Sequence, residues 1–269
     1  TGRMRYLGRT ILVASLIVAP GMVRAADDHD ISLSSIVARA AEKTVALEGA
    51  GREPGDVLVS VAGIGSFPVV CATPLASLLT RPDSPLPTAL LPASSVVAAR
   101  PVLESERTIL SRDGRFAVHY AGGAASAGLM ATDRDRNGLP DLVDRVFEAL
   151  QAARSYLVAR LGYPPPTPEG QRLDLFLVGL GHGLEGYTVA RADGSGFIVL
   201  DSALSADRVT PATLHQVAHV SLQSISLRAP RWWAEGSASF LTLLTTGDMK
   251  SHEASLRARL QDTGEGLAS

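Results

Sequence analysis

The chain has 269 residues, of which 46% are hydrophobic and 19% charged, with 25 Lys plus Arg against 27 Asp plus Glu. That is enough apolar material for one ordinary core and a small second module. It excludes a chain disordered throughout, and the lack of a Lys/Arg stripe excludes a basic nucleic-acid binder. A single cysteine, Cys71, excludes an internal disulfide framework. On the same count no thiolate metal cluster is expected, and any metal falls to His, Asp or Glu.

Residues 1–25 read as an export signal. Arg3, Arg5 and Arg9 form a positive start, Ile11 to Ala19 a short apolar run, and Val23-Arg24-Ala25 places small residues where a signal peptidase cuts. The apolar run is shorter than the about 20 residues that cross a hydrocarbon core. No stable membrane span is therefore expected after cleavage, and a secreted or periplasmic protein is. Losing Arg3, Arg5, Arg9 and Arg24 shifts the net charge from −2 to about −6. The chain opens on Thr1, Met4 is a candidate start, and the end follows closely on an apolar helical stretch. A fragment at both ends, with a truncated C-terminus, is expected.

Residues 26–105 are expected to be a pro-segment, spacer or small accessory module. Asp27-Asp28-His29-Asp30 reads as a solvated mature N-terminus rather than a metal cluster. Leu33 to Leu47 is helical, with Gly49 as its stop. Residues 51–105 hold eight of the 16 prolines, with many Ala, Ser and Val. Val57 to Val61 and Pro68 to Val70 are short strand candidates, and Pro82 to Pro92 is an extended connection. No catalytic string stands out here.

Residues 106–269 carry the pattern of a compact α+β domain. Arg115 to Tyr120 is a strand, and Asp144 to Leu161 a helix with Val146, Phe147, Leu150, Ala153, Leu157 and Leu161 on one side. Pro164-Pro165-Pro166 ends it. Leu173 to Val178 and Phe197 to Leu200 are strands, separated by a glycine-rich loop over Gly179 to Gly186. Thr210 is the expected N-cap of a helix with Pro211 at its first position, running to about Leu227. A last helix runs from Trp233 or Ala234 to Thr245 and stops near Gly247.

The most informative string is Leu214-His215-Gln216-Val217-Ala218-His219. Two His four apart share a helix face, with about 5–6 Å between Cβ atoms, so both imidazoles can reach one Zn²⁺. Alone, the pair is a weak signal. Three neighbours strengthen it. The surrounding helix is apolar, and a buried His pair needs partners. Glu235, in Trp232-Trp233-Ala234-Glu235-Gly236-Ser237-Ala238, follows a short connection and can fold back as a third ligand. A strand with a glycine loop lies just upstream, as an edge strand beside a substrate cleft would.

On His215-x-x-x-His219 and Trp-x-x-Glu235-Gly236-x-Ala238, the chain resembles the zincin metallopeptidases, in the gluzincin branch whose third ligand is Glu. The order of His119-Tyr120, Asp133 to Asp144, Gly162-Tyr163-Pro164-Pro165, Leu173-Asp174-Leu175 and a Gly186-Tyr187-Thr188 turn also resembles a group of secreted bacterial metalloprotease-like proteins. The resemblance spans roughly residues 108–247. It implies a zincin-like domain with a small mixed sheet, an active-site helix and a following Glu-bearing helix. It further implies zinc on His215, His219 and Glu235, and a peptide or protein substrate.

The motif of that family is His-Glu-x-x-His, and Gln216 stands where the Glu belongs. In zincins that Glu takes a proton from the attacking water and delivers it to the leaving amine. A carboxamide accepts no proton at neutral pH, and losing a general base costs about 10²–10⁴ in rate. Three readings stay open. The protein is a pseudo-protease that binds zinc and a peptide-like ligand, a slow hydrolase with another base such as Glu185 or Glu253, or a chain whose Gln is a sequence error. Tyr187 is a candidate oxyanion donor or substrate-loop residue, with a packed Tyr as the plainer reading. A non-catalytic module binding a peptide or cell-surface ligand, and an export passenger without metal, are rivals.

Asp133, Asp135, Asn137, Leu139, Asp141 and Asp144 occupy positions 1, 3, 5, 7, 9 and 12 of a calcium-loop spacing, with Gly138 at position 6 and Leu139 contributing its backbone carbonyl. Asp144 is shorter than the usual Glu. A structural Ca²⁺ fixing the loop is one reading, and an Asx-rich turn capping the next helix is the other.

Overall fold

The structure is a computed structural model of the chain. It describes residues 14–16, 58–61, 65–68, 71–80, 99–122, 128–168, 170–180, 184–191 and 196–247. The helix expected over 33–47, the Asp27–Asp30 group, the 82–92 connection and Glu253 lie outside them. So does the expected export signal, apart from Ala14–Leu16.

Those three residues form β1, which pairs in parallel with β2 (Leu58–Val61); β3 (Gly65–Pro68) is antiparallel to β2. The Val57–Val61 strand is thus found nearly as expected, β3 lies just before the Pro68–Val70 candidate, and residues 69 and 70 of that candidate lie outside the described residues. An unexpected helix, α1 (Thr73–Thr80), follows. Pro74 fits its first turn, where backbone N–H groups have no helical partner.

A second, five-stranded sheet organises the remainder in the order β4-β5-β6-β8-β7. Its strands are β4 (Glu106–Leu110), β5 (Phe116–Ala121), β6 (Leu173–Val178), β7 (Gly186–Ala190) and β8 (Gly196–Asp201). β5, β6 and β8 run parallel and the two edges antiparallel, so the sheet is mixed. A parallel pair needs a long crossover, and α2 (Asp141–Arg154) lies in the one from β5 to β6. Its end widens into a π-helical turn over Ser155–Arg160. α3 (Val209–Ile225) and α4 (Arg231–Thr246) follow β8.

Strand alternation sends Phe116, Val118, Tyr120, Leu173, Leu175, Leu177, Ile198 and Leu200 to one face, where they pack with Val146, Leu150, Leu214, Val217 and Ala218 of the helices. α3 is buried on every side from Pro211 to Leu222, its polar Thr213, His215, Gln216, His219 and Ser221 included. Each large apolar side chain buried this way contributes about 1.5–3 kcal/mol. α3 is therefore the rigid element on which a site is best held.

Three local expectations are corrected. α3 begins at Val209, so Thr210 and Pro211 are its second and third residues; Arg208 stands at the cap position with no side-chain cap bond. Gly186-Tyr187-Thr188 is not a turn but the start of β7, paired with Leu200, Val199 and Ile198. Leu161 lies past the helical end and is 39% exposed, although Val146, Leu150, Ala153 and Leu157 are buried as the periodicity requires.

Candidate metal centre

His215, Gln216 and His219 sit on the buried middle of α3. The four-residue spacing brings the imidazoles together, with 3.1 Å between the two Nε2 atoms and the rings nearly perpendicular at 83°. α4 starts after Pro230 and places Glu235 in its second turn, facing back onto α3. Its Oε1 lies 3.0 Å from His219 Nε2 and its Oε2 3.4 Å from His215 Nε2. The three expected ligands thus converge.

A fourth donor joins them from the N-terminal region. Cys71 Sγ lies 3.5 Å from His219 Nε2 and 3.6 Å from Glu235 Oε1. Cys71, His215, His219 and Glu235 are all buried, and their donor atoms lie within 4.8 Å of one another. The sequence left any metal to His, Asp or Glu, whereas the group that could hold one includes the Cys71 sulfur, from the 26–105 region where no catalytic string stands out. Ligands bound to one tetrahedral zinc at about 2.0–2.3 Å stand about 3.3–3.6 Å apart. The separations of 3.4, 3.5 and 3.6 Å match those edges, and those of 3.0 and 3.1 Å are a few tenths of an ångström shorter, so the residues could hold a metal ion after a small adjustment.

The electrostatics agree. Burial pushes the Glu235 carboxyl up, but the charge of His219 and hydrogen bonds from both imidazoles outweigh it and hold Glu235 well below its ordinary value. Burial pulls the His215 imidazole down, and Cys71 and Glu235 raise it overall. The carboxylate thus sits in a pocket that demands compensating positive charge, which protons or a cation supply. His219 Nδ1 has no hydrogen-bond partner among the described residues, so the acceptor that usually orients a metal-bound imidazole is not seen there.

Gln216 is 1% exposed. Its Oε1 accepts from Thr73 Oγ1 at 2.8 Å and Thr188 Oγ1 at 2.9 Å, and its Nε2 donates to Cys71 Sγ at 3.4 Å. Glu185, the other candidate base among the described residues, is paired with Arg208, which donates to it through Nε at 2.5 Å and Nη2 at 2.8 Å. Tyr187 is corrected too. It pairs with Val199, opposite in facing to Thr188, which bonds Gln216. Its side chain therefore lies across the sheet from the cluster, and burial pushes its hydroxyl up to about 12.

The acidic loop is exposed from Asp133 to Gly138. Asn137 links its acids, with its N–H donating to Asp133 and Asp135 at 3.1 and 3.3 Å and its Nδ2 to Asp135 and Asp144 at 3.1 and 3.0 Å. Gly138 has φ +87, as a sharp turn at the sixth position requires. Asp141 turns elsewhere: its carboxylate accepts from Thr132 Oγ1 at 2.5 Å and from Arg134 N at 2.9 Å. Leu139 N–H donates to Asn137 Oδ1 at 2.7 Å. The loop therefore gathers Asp133, Asp135, Asn137 and Asp144 and leaves Asp141 to cap the loop entry.

Sequence reasoning missed Cys71, Thr73 and Thr188. Cys71 lies 148 residues from His219, and no local pattern signals such a contact. The Thr-Pro pair after Cys71 signals only a helix start.

No protein-family profile, no curated protein and no solved structure matches this chain. The metal-binding reading rests on the geometry alone.

Proposed function

We propose that the chain is an exported zinc metallopeptidase-like protein of zincin type, with zinc on His215, His219 and Glu235 and hydrolysis impaired by Gln216. The observation that carries this reading is the meeting of donors from two successive helices at separations within a few tenths of an ångström of the edges of one tetrahedral ion. Zinc held there would supply Lewis acidity toward a peptide carbonyl as long as one coordination position stays open. Gln216 accepts no proton, and its oxygen already receives two hydroxyl hydrogens. Peptide hydrolysis is therefore expected to fall by about 10²–10⁴ relative to a competent site.

A second reading is a non-catalytic module, stabilised by zinc and in part by calcium on the Asp133–Asp144 loop, that binds a peptide or a cell-surface ligand. The sulfur of Cys71 favours it, since catalytic zinc sites keep one position open.

Zinc analysis after saturation and desalting tests the proposal. About one equivalent per chain is expected, and less than about a tenth overturns it. Measurable casein turnover at equal rates by the chain and by Gln216→Glu overturns the role given to Gln216, whereas turnover by neither favours the second reading.

A further inference from the structure

We infer that Cys71 is the fourth ligand of this ion, and that Gln216 is the positioning residue that holds its sulfur in a closed site. The inference rests on the zinc reading and gives a reason for the Gln. The Sγ distances of 3.5 and 3.6 Å to His219 Nε2 and Glu235 Oε1 match a sulfur–nitrogen or sulfur–oxygen edge of a zinc tetrahedron, about 3.5 Å. A thiolate with two imidazoles and a carboxylate suits zinc or another tetrahedral divalent ion such as cobalt.

The backbone around Cys71 is fixed independently of any metal. Cys71 bridges to Gly186 at the edge of β7, and Ala72 N–H donates to Gly186 O at 3.1 Å. Thr188 N–H donates to Thr73 Oγ1 at 3.0 Å, and Gln223 Nε2 to Ser77 Oγ at 2.9 Å. The sulfur is thus presented by a segment docked on the sheet edge and on α3.

Gln216 completes the arrangement. With its oxygen turned to the Thr73 and Thr188 hydroxyls, the amide presents its N–H₂ to the sulfur. A metal-bound thiolate is an acceptor, and an amide N–H stabilises it. A Glu at 216 would satisfy the same hydroxyls but set a second carboxylate oxygen against that sulfur. The residue that disables a general base is the one a thiolate ligand requires. The ion then has no position for substrate, and it staples residues 71–80 to β7 and α3.

The test uses the full chain loaded with cobalt(II), whose absorption reports a sulfur ligand through a thiolate-to-metal charge-transfer band. The inference expects one cobalt with that band in the unaltered chain, loss of the band in Cys71→Ala, and cobalt affinity reduced about 10–100-fold in Gln216→Glu. One cobalt bound without the band overturns the inference and leaves the zinc reading standing. No cobalt or zinc bound overturns both. The spectrum of the unaltered chain decides the point even if a variant fails to fold. Affinity unchanged or raised in a folded Gln216→Glu removes the role of Gln216.

Discussion

The buried cluster between α3 and α4 and the exposed loop before α2 are both rich in ligand-type side chains, yet they solve opposite problems. In the loop, the acids are neighbours in sequence, and the chain satisfies them itself through Asn137, Thr132 and Arg134. In the cluster, the donors come from two successive helices and from Cys71, 148 residues before His219, and their donor atoms face one another. Proximity in sequence makes charged groups easy to notice. Burial is what makes compensating positive charge necessary, from a protonated imidazole or a cation, because a buried carboxylate must be paired.

The sharpest way to separate the two is zinc itself. At about 1,000 times its dissociation constant, a ligand adds about 4 kcal/mol to stability, roughly a 10 °C rise in Tm for a domain of this size. That rise is expected in the unaltered chain and lost in His219→Ala. An equal rise in His219→Ala, measured by thermal melting, would break the comparison.

The next effect probes how the Cys71 segment reaches the cluster. A Cβ on Gly186 would lie 2.6 Å from Val199 O and 2.8 Å from Leu200 Cδ2. Gly186→Ala is therefore expected to cost about 1–3 kcal/mol in urea unfolding and to weaken zinc binding. A neutral Gly186→Ala would show that this close approach of β7 is not required.

The smallest effect belongs to the loop. Burial raises the Asp144 carboxyl, the charges of Asp135, Asp133 and Asp141 raise it further, and the Asn137 amide opposes them. A carboxyl raised in the folded state favours the protonated form, so it adds stability at low pH that is lost as pH rises through its folded value. In calcium-free buffer, Asp144→Asn is expected to gain a few tenths of a kcal/mol above the carboxylate range and nothing below it. Millimolar calcium is expected to reverse that sign by stabilising only the unaltered chain. An identical calcium response in both would remove Asp144 from the ligand set.

Much of the fold was readable because its signals are local. Leu173–Val178 is a short apolar run broken only by Asp174 and is a strand over that range, and Gly247, at φ +69, stops α4 where a glycine cap is expected. The His pair and Glu235 were readable because helical spacing and a short connection fix their meeting. β7 was not, since Gly186-Tyr187-Thr188 reads as a turn and only pairing with β8 makes it a strand. Cys71 was not, since its place depends on docking to β7, a contact between segments far apart in sequence. The opposite facing of Tyr187 follows from that same strand register.

X-ray absorption at the zinc edge of the loaded full chain tests the central claim most directly. The account predicts four-fold coordination with one sulfur at about 2.3 Å and three nitrogen or oxygen ligands at about 2.0–2.1 Å. A first shell of six light atoms, or zinc that desalting strips away, would contradict it.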